Sequence, residues 1–184
     1  MAIRKVARLG HPVLRQPTRQ LSKKEIQSQE IQRLVDDMVD TMHEYGGVGL
    51  AAPQVHEPLR LAVIEVEELN ERYKIAVGQP LLVIFNAQVT VLDPTTYGFW
   101  EGCLSVPGLR GYVERPRKVR VDYLDRAGEP RSIVAEDFLA TVFQHELDHL
   151  DGTLYVDKLA AADRFAFVEE YQRFHLQEGG LAVD

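Results

Sequence analysis

His145, Glu146 and His149 have the residue types and the spacing of a metal-dependent hydrolytic site. They form the pattern H-E-x-x-H inside a run whose apolar residues recur at helical spacing. On a helix the two histidines lie one turn apart on the same face, close enough to bind one metal ion. The glutamate next to them can take a proton from a water molecule on that metal. The pattern therefore predicts metal-assisted hydrolysis, but it does not name the substrate.

A catalytic metal site usually has three protein ligands, and the third ligand distinguishes the classes of enzyme. One class of metalloprotease has a third histidine at the position of Tyr155, so this sequence does not fit that class. A second class has a glutamate about twenty residues further on, which Glu169 matches by count. Cys103, the single cysteine, is the other candidate, because a thiolate binds Zn²⁺ and Fe²⁺ well. A non-catalytic, metal-stabilised binding module would instead need a closed site with four protein ligands.

The metal-facing side of the same helix predicts a pocket for an apolar side chain. Residues three, four and seven positions before His145 share its face of the helix, and two further residues that flank other motifs can close the space. Such a cavity suits an unbranched, flexible side chain such as that of methionine. The residues expected to line it are Val48, Phe99, Phe138, Thr141 and Val142.

Helical periodicity locates the helices that frame this site. A capping-box spacing at Ser22 and Glu25, followed by apolar residues at helical spacing up to Gly46, predicts a first helix. The H-E-x-x-H helix is expected to end at Asp151, because Gly152 can then serve as its C-terminal cap. A third, amphipathic helix is expected over about 160–178, followed by a frayed tail at 179–184.

Strand-like runs fill the space between the first two helices. The polar stretch 67–79 interrupts them and is expected to be a surface excursion, and Asp125 to Gly128 predict a hairpin turn. The resulting fold class is α+β, with short antiparallel sheets around a central metal-binding helix and with N- and C-terminal helices. The expected strands cover residues 60–66, 81–92, 118–124 and 131–135.

Composition narrows the class of protein further. A chain of 184 residues with 45% hydrophobic and 27% charged residues predicts one domain over 1–184. The net charge of −7 argues against a nucleic-acid partner. The sequence contains neither an apolar run of membrane-spanning length nor an N-terminal secretory signal, so we expect a cytoplasmic protein without membrane contact.

Three motifs together resemble the signature of the peptide deformylases. They are G-V-G-L-A-A-P-Q at 47–54, E-G-C-L-S at 101–105 and Q-H-E-L-D-H-L at 144–150, in the order usual for that family. The resemblance extends from 10–15 to about Leu159, which is most of the chain. It implies an α+β fold in which the H-E-x-x-H helix is packed amid antiparallel sheets.

The resemblance also implies a reaction and a set of roles. Members of this family hydrolyse the N-formyl group, as formate, from the N-terminal formylmethionine of newly synthesised polypeptides. Cys103, His145 and His149 correspond to the ligands of one divalent metal ion, with Fe²⁺ expected as the native metal and Zn²⁺, Ni²⁺ or Co²⁺ as replacements. Glu146 corresponds to the general base and then acid. The side-chain amide of Gln54 and the backbone N–H of Leu104 correspond to the other catalytic groups, which stabilise negative charge on the formyl oxygen.

The binding of the rest of the substrate can be outlined in the same way. Gly47 and Gly49 have no side chain to obstruct a peptide, so the edge at 47–50 is expected to pair with the substrate as an added strand. Arg110 lies where the family often has an arginine near the peptide-binding cleft. The acidic residues after Ala162 disfavour direct docking on ribosomal RNA, so any ribosome contact is expected to be transient.

Overall fold

A largely antiparallel sheet, with seven strands among the described residues, forms the centre of the fold. In the computed structural model, residues 2–66, 78–176 and 182–183 are described, so most of the expected surface excursion at 67–79 lies outside the described residues. Five strands are joined antiparallel in chain order: Gly49–Ala51 (β1), Leu61–Val66 (β2), Gln79–Glu101 (β3), Leu109–Leu124 (β4) and Pro130–Glu136 (β5). Phe165–Phe167 (β6) pairs antiparallel with β4, and Ala182–Val183 (β7) pairs parallel with β3.

In the described residues four α-helices accompany the sheet, which gives the expected α+β class. They are Lys23–Ile26 (α1), Gln29–Glu44 (α2), Asp137–Leu150 (α3) and Val168–Phe174 (α4). Short 3₁₀ turns occur at Pro12–Arg15, Ala52–Val55 and Tyr155–Lys158. Across the described part of the chain, none of the helices has the length and apolar character needed to cross a membrane.

The expected first helix is two helices. The capping box at Ser22 is present, since its hydroxyl accepts from the Glu25 N–H at 3.3 Å and its own N–H donates to the Glu25 carboxylate at 2.8 Å. A second cap interrupts the run, because the Ser28 hydroxyl accepts from the Ile31 N–H and starts α2. Serine at this position competes with the helix backbone for hydrogen bonds, so α1 ends after one turn.

The sheet is covered on both faces, and β2 shows this most clearly. Leu61 and Val63 belong to the apolar cluster formed with α2, whereas Ala62 and Ile64 belong to the cluster formed with α3. All four side chains are fully buried. This explains why β2 reads as a continuous apolar run instead of an alternating one.

β3 and β4 are longer than the sequence indicated. The expected strand at 81–92 continues to Glu101, passing Pro94 through a register shift between Asp93 and Thr96. The expected strand at 118–124 begins at Leu109 instead. Proline usually marks the end of a strand, but an irregularity in the pairing can accommodate it, because the missing N–H is then not needed. The added halves of both strands carry residues of the candidate site.

The helix predicted over about 160–178 is shorter than expected. Residues 160–178 do not form one helix, because Phe165–Phe167 pairs with β4 and only Val168–Phe174 is helical. Phe165 and Phe167 are two positions apart, which is the spacing of a strand, and Ala166 between them packs against the core. Within the tail expected to be frayed, Ala182–Val183 pairs with Trp100 and Glu101.

The end of α3 is fixed by Gly152. This residue has φ +72°, and its N–H donates to the His149 carbonyl at 3.2 Å, as expected of a C-terminal cap. A Cβ atom at this position would lie 2.9 Å from the backbone carbonyl of Arg15. Glycine is therefore required both for its conformation and for the close approach of the 3₁₀ turn Pro12–Arg15.

Gly152→Ala should lower the free energy of unfolding by more than Gly46→Ala does. Both glycines have a left-handed conformation, which costs an alanine about 1–2 kcal/mol, but a Cβ at Gly46 would meet nothing within 4 Å. Only Gly152→Ala adds a clash with backbone atoms. Urea denaturation of both variants measures the difference, and equal losses would show that the contact with Arg15 yields easily.

Candidate metal centre

Three buried side chains with metal-ligating atoms meet beside α3. Cys103 follows the end of β3, and His145 and His149 lie one turn apart on α3. The candidate ligand atoms of these residues lie within 4.8 Å of one another, and Cys103 Sγ is 3.4 Å from His149 Nε2. A thiolate and two imidazoles within this distance suit a divalent transition metal, so the residues fit the metal that the sequence predicts.

His145 is oriented by a carboxylate behind it. Its Nδ1 lies 2.8 Å from Oε2 of Glu101, the first residue of the E-G-C-L-S motif. Because a carboxylate only accepts hydrogen bonds, Nδ1 carries the hydrogen and donates it to Glu101. When the imidazole is neutral, the lone pair of Nε2 is then directed away from Glu101 and can bind a metal.

Glu101 is held in turn by Arg115 of β4. The guanidinium donates two hydrogen bonds to the carboxylate, from Nε at 2.5 Å and from Nη2 at 2.9 Å. Its Nη1 donates to Asp148 at 2.8 Å, and Lys158 donates to the other oxygen of Asp148 at 2.7 Å. The sequence assigned no role to Asp148. In the structure it positions Arg115, and these hydrogen bonds do not link it directly to either histidine.

The charges along this network alternate in sign. Burial raises the pKa of Glu101, but Arg115 and His145 outweigh burial and hold the pKa at about 2. Glu101 is therefore ionised at neutral pH, and it can accept from His145 throughout the physiological range. Burial lowers the pKa of His149 well below its usual value, with a further lowering from the charge of His145. A neutral imidazole is the form that binds a metal.

Glu146 lies next to this group without a charged hydrogen-bond partner. Burial raises its pKa to about 7, against the opposing effect of His145, and its Oε2 is buried with no hydrogen-bond partner among the described residues. A cation bound close by would lower this pKa again. Its carboxylate occupies the space where Gly49 lacks a side chain, since a Cβ there would lie 2.5 Å from the carboxylate. Gly49 thus makes room for Glu146 as well as leaving a bare strand edge.

Both residues predicted to stabilise the oxyanion are neighbours of Cys103, Gln54 in space and Leu104 along the chain. Gln54 is buried in the turn Ala52–Val55, where its Oε1 accepts from the Ala51 N–H at 2.8 Å. This fixes the amide so that Nε2 faces Cys103 Sγ at 3.5 Å and Ser105 Oγ at 3.3 Å. Leu104 follows Cys103 in a turn that the Val106 N–H closes on the Cys103 carbonyl.

The five residues predicted to form the apolar pocket are brought together. Four of them, Val48, Phe99, Phe138 and Val142, are buried in the cluster between the sheet and α3, and the polar residue Thr141 is buried as well. Phe99 and Phe138 meet edge to face, with ring centroids 6.0 Å apart. The Thr141 hydroxyl donates to the Asp137 carbonyl at 3.2 Å, so its polar group is satisfied within the helix. The remaining methyl group keeps this part of α3 apolar.

Two further candidates are not part of the metal-ligating group. Arg110 lines a cavity of about 1080 Å³ that also reaches Cys103 and Leu104. Glu169, the alternative third ligand, is exposed on α4. Among the histidine, cysteine and acidic side chains of the described residues, none joins Cys103, His145 and His149 as a fourth ligand.

Sequence reasoning missed Glu101 and Arg115. Glu101 is the first residue of the E-G-C-L-S motif. Its position two residues before a candidate ligand is the feature that could have indicated a role beside the metal. Arg115 was hidden in a short basic stretch, 115–120, that resembles a solvated strand face. In the fold Arg115 is only 2% exposed, whereas Arg117 is half exposed. Nothing in the local sequence distinguishes the two.

An α+β fold with a buried Cys-His-His donor set and an adjacent glutamate is typical of metal-dependent hydrolases. The polypeptide deformylase family matches this chain over residues 3–165. A peptide deformylase of Leptospira biflexa is 45% identical over 170 residues, covering 92% of this chain and 95% of that protein. The chain therefore belongs to the polypeptide deformylase family.

Solved structures agree with this assignment. A peptide deformylase from Acinetobacter baumannii, bound to Met-Ala-Ser, has a TM-score of 0.82 at 37% identity, covering 86% of this chain and 99% of that one. The enzyme from Thermotoga maritima has a TM-score of 0.77 at 32% identity, covering 88% and 100%. The family removes the formyl group from N-terminal formylmethionine in a metal-dependent hydrolysis, and that is the activity of this enzyme.

Arg115→Leu should strongly destabilise the protein, because it leaves the Glu101 carboxylate buried without its partner. Breaking a buried pair in this way costs about 3–5 kcal/mol. Arg117→Leu, which removes an exposed pair with Asp137, is the matched control and should change stability little. Chemical denaturation of both variants decides the point, and similar losses would mean that the network around Glu101 is dispensable.

Proposed function

We propose that this chain is a formylmethionyl-peptide deformylase in which Cys103, His145 and His149 hold one divalent metal ion. The observation that carries the assignment is the convergence of their ligand atoms within 4.8 Å at a buried point beside Glu146. A divalent ion there would supply positive charge that polarises the formyl oxygen and acidifies a water molecule. The Cys-His-His set leaves a position open for that purpose, unlike a closed structural site.

The roles proposed for the other residues are supported by their positions near this point. Glu146 takes a proton from the attacking water as the new C–O bond forms at the formyl carbon. It then gives this proton to the amine nitrogen as the C–N bond breaks, so that formate and a free N-terminus are released. Meanwhile the Gln54 amide and the Leu104 N–H donate to the formyl oxygen, whose negative charge grows during the attack.

The substrate is proposed to bind along β1. This strand is at the end of the five-strand path and pairs only with β2 among the described strands, so its other edge can accept an extended peptide. The methionine side chain would enter the apolar pocket described above. The Met-Ala-Ser bound to the Acinetobacter baumannii relative supports this assignment of the first residue.

We propose Fe²⁺ as the native metal, with Zn²⁺, Ni²⁺ and Co²⁺ as possible replacements. One thiolate and two imidazoles accept all four ions, and the cellular supply decides between them. We also propose that residues 1–184 act as a single catalytic domain. Because the substrates are newly made polypeptides, the enzyme is expected to act in the cytoplasm, with only transient proximity to ribosomes. Metal analysis of protein purified anaerobically, together with formate release from a formyl-Met peptide, tests the metal and the activity together.

Cys103→Ala should remove stoichiometric metal, whereas Glu169→Ala should leave it bound. The first change deletes a buried candidate ligand, and the second deletes an exposed carboxylate on α4. Metal content of the two purified variants is the measurement. The reverse outcome would assign the protein to the class of zinc peptidases with a glutamate ligand.

Glu146→Gln should keep the metal and lose most turnover. The amide can still accept a hydrogen bond from water but cannot take its proton, and general base catalysis typically contributes about a hundredfold to ten-thousandfold. Formate release and metal content are measured on the same sample, because a loss of metal would mimic a loss of base. A decrease of less than about tenfold in kcat would exclude the assigned role.

The enzyme should prefer formyl-Met peptides over formyl-Ala peptides. Burying the longer side chain is worth about 1–3 kcal/mol, or roughly ten- to two-hundredfold in kcat/KM. Thr141→Val should keep this preference, because the threonine hydroxyl is already bonded to Asp137. Equal kcat/KM values for the two peptides would show that the five apolar residues are only part of the core.

A further inference from the structure

Building on the deformylase function proposed above, we infer that Lys5 and Arg8 form a subsite for acidic side chains downstream of the formylmethionine. Both residues lie in the N-terminal segment, which none of the matched motifs includes. The inference concerns which nascent chains are processed fastest, not the chemistry of the formyl group.

The cavity of about 1080 Å³ connects the metal centre with this segment. Its lining includes Cys103 and Leu104 as well as residues 5–8 and 10–12. Three of its glycines, at 10, 46 and 108, would place a Cβ in open space. The cavity therefore offers room for the part of a peptide that follows the residue at the metal.

The lining of this cavity is cationic. None of its described lining residues is an aspartate or a glutamate, although acidic residues outnumber basic ones by 28 to 21 in the chain. The basic side chains that line it are Lys5, Arg8 and Arg110, together with the imidazoles of His11 and His56. Such a wall attracts anionic groups and repels cationic ones.

Lys5 and Arg8 are exposed, and neither forms an ion pair with any of the described residues. Their neighbour Arg4 behaves differently, because it pairs with both Asp37 and Glu57. Other arginines of the described chain, such as Arg60 and Arg115, also pair with a carboxylate, so Lys5 and Arg8 differ from them in leaving uncompensated positive charge on the cavity wall.

The backbone of the segment is anchored to the candidate catalytic loops. The Ala7 N–H donates to the Gln54 carbonyl at 2.7 Å, and the Leu9 N–H donates to the Ser105 carbonyl at 2.8 Å. Arg8, between these two bonds, therefore has a fixed starting point on the cavity wall. A carboxylate bound here would interact with the flexible, charged side chain of Arg8, whose backbone is held in place by these two hydrogen bonds.

A peptide carboxylate is the occupant that the position favours. The cavity is lined by Cys103 and Leu104, which belong to the proposed site, so the part of a substrate that follows the formylmethionine can reach it without a second binding event. A nucleic acid would meet the overall charge of −7 outside this cavity. The carboxylate can belong to an aspartate or glutamate side chain, or to the C-terminus of a short peptide, and C-terminal amidation distinguishes these sources.

The test uses formyl-Met pentapeptide amides in which one position from the second to the fifth is Asp, Asn or Lys. We expect Asp to exceed Asn, and Asn to exceed Lys, in kcat/KM at one or more positions. Exposed ion pairs are weak, so the Asp-to-Asn ratio should be about two- to fivefold at low ionic strength. The ratio should fall towards one when the salt concentration is raised to about 0.5 M.

The double variant Lys5→Gln/Arg8→Gln should bring the Asp-to-Asn ratio to about one. Lys24→Gln/Arg33→Gln, which removes two exposed cations that do not line the cavity, is the matched control and should keep the ratio. A ratio of one or less at every position in the native enzyme overturns the inference. So does a ratio that survives in the double variant, or a preference seen only with free C-terminal carboxylates.

Two further measurements separate the possible failures. Formate release from an uncharged formyl-Met peptide amide reports the proposed function itself, so its absence would refute that function and not the subsite alone. Competition by a single-stranded RNA oligonucleotide that is stronger than competition by an acidic peptide would assign the cationic wall to nucleic acid and overturn the inference.

Discussion

The hydrogen bond from His145 to Glu101 is the interaction on which the rest of the site depends. An ionised carboxylate can be buried behind a histidine only if another charge compensates it, and Arg115 does so with two hydrogen bonds. Arg115 is itself buried, so it needs Asp148, whose second oxygen accepts from Lys158. The chain of charges ends only where Lys158 is partly exposed to solvent. One oriented imidazole thus requires residues from β3, β4, α3 and the turn that follows α3.

This requirement also accounts for the shape of the sheet. Glu101 lies at the end of β3 and Arg115 near the middle of β4, and the pairing of β3 with β4 continues to the last residue of β3. If both strands ended where the sequence suggests, at Leu92 and Lys118, neither charged residue would lie under α3. The irregular pairing around Pro94 lets the ladder continue to the metal centre, at the cost of a few backbone hydrogen bonds.

Local sequence patterns predicted the elements whose conformation is determined by residues close together in the chain. Helical spacing located α3, and Gly152 located its end. Three motifs, read from the sequence alone, assign Cys103, Glu146 and Gln54 to one site. The partners of Glu101 could not be found in this way, since a buried arginine is recognised only through the residue it meets across the sheet. The C-terminal error has a similar origin, because Phe165 and Phe167 gain their strand conformation by pairing with β4.

The inner site and the outer cavity differ in how freely their residues can change. Behind His145 the charged groups of Glu101 and Arg115 are buried and hydrogen-bonded to each other, so a substitution there alters stability as well as chemistry. Lys5 and Arg8 are exposed on a segment whose backbone is anchored by hydrogen bonds from Ala7 and Leu9. Exchange of their side chains leaves those backbone bonds intact, and surface substitutions of this kind usually cost little stability. A rigid centre with an adaptable entrance therefore allows peptide selectivity to vary while the reaction is preserved.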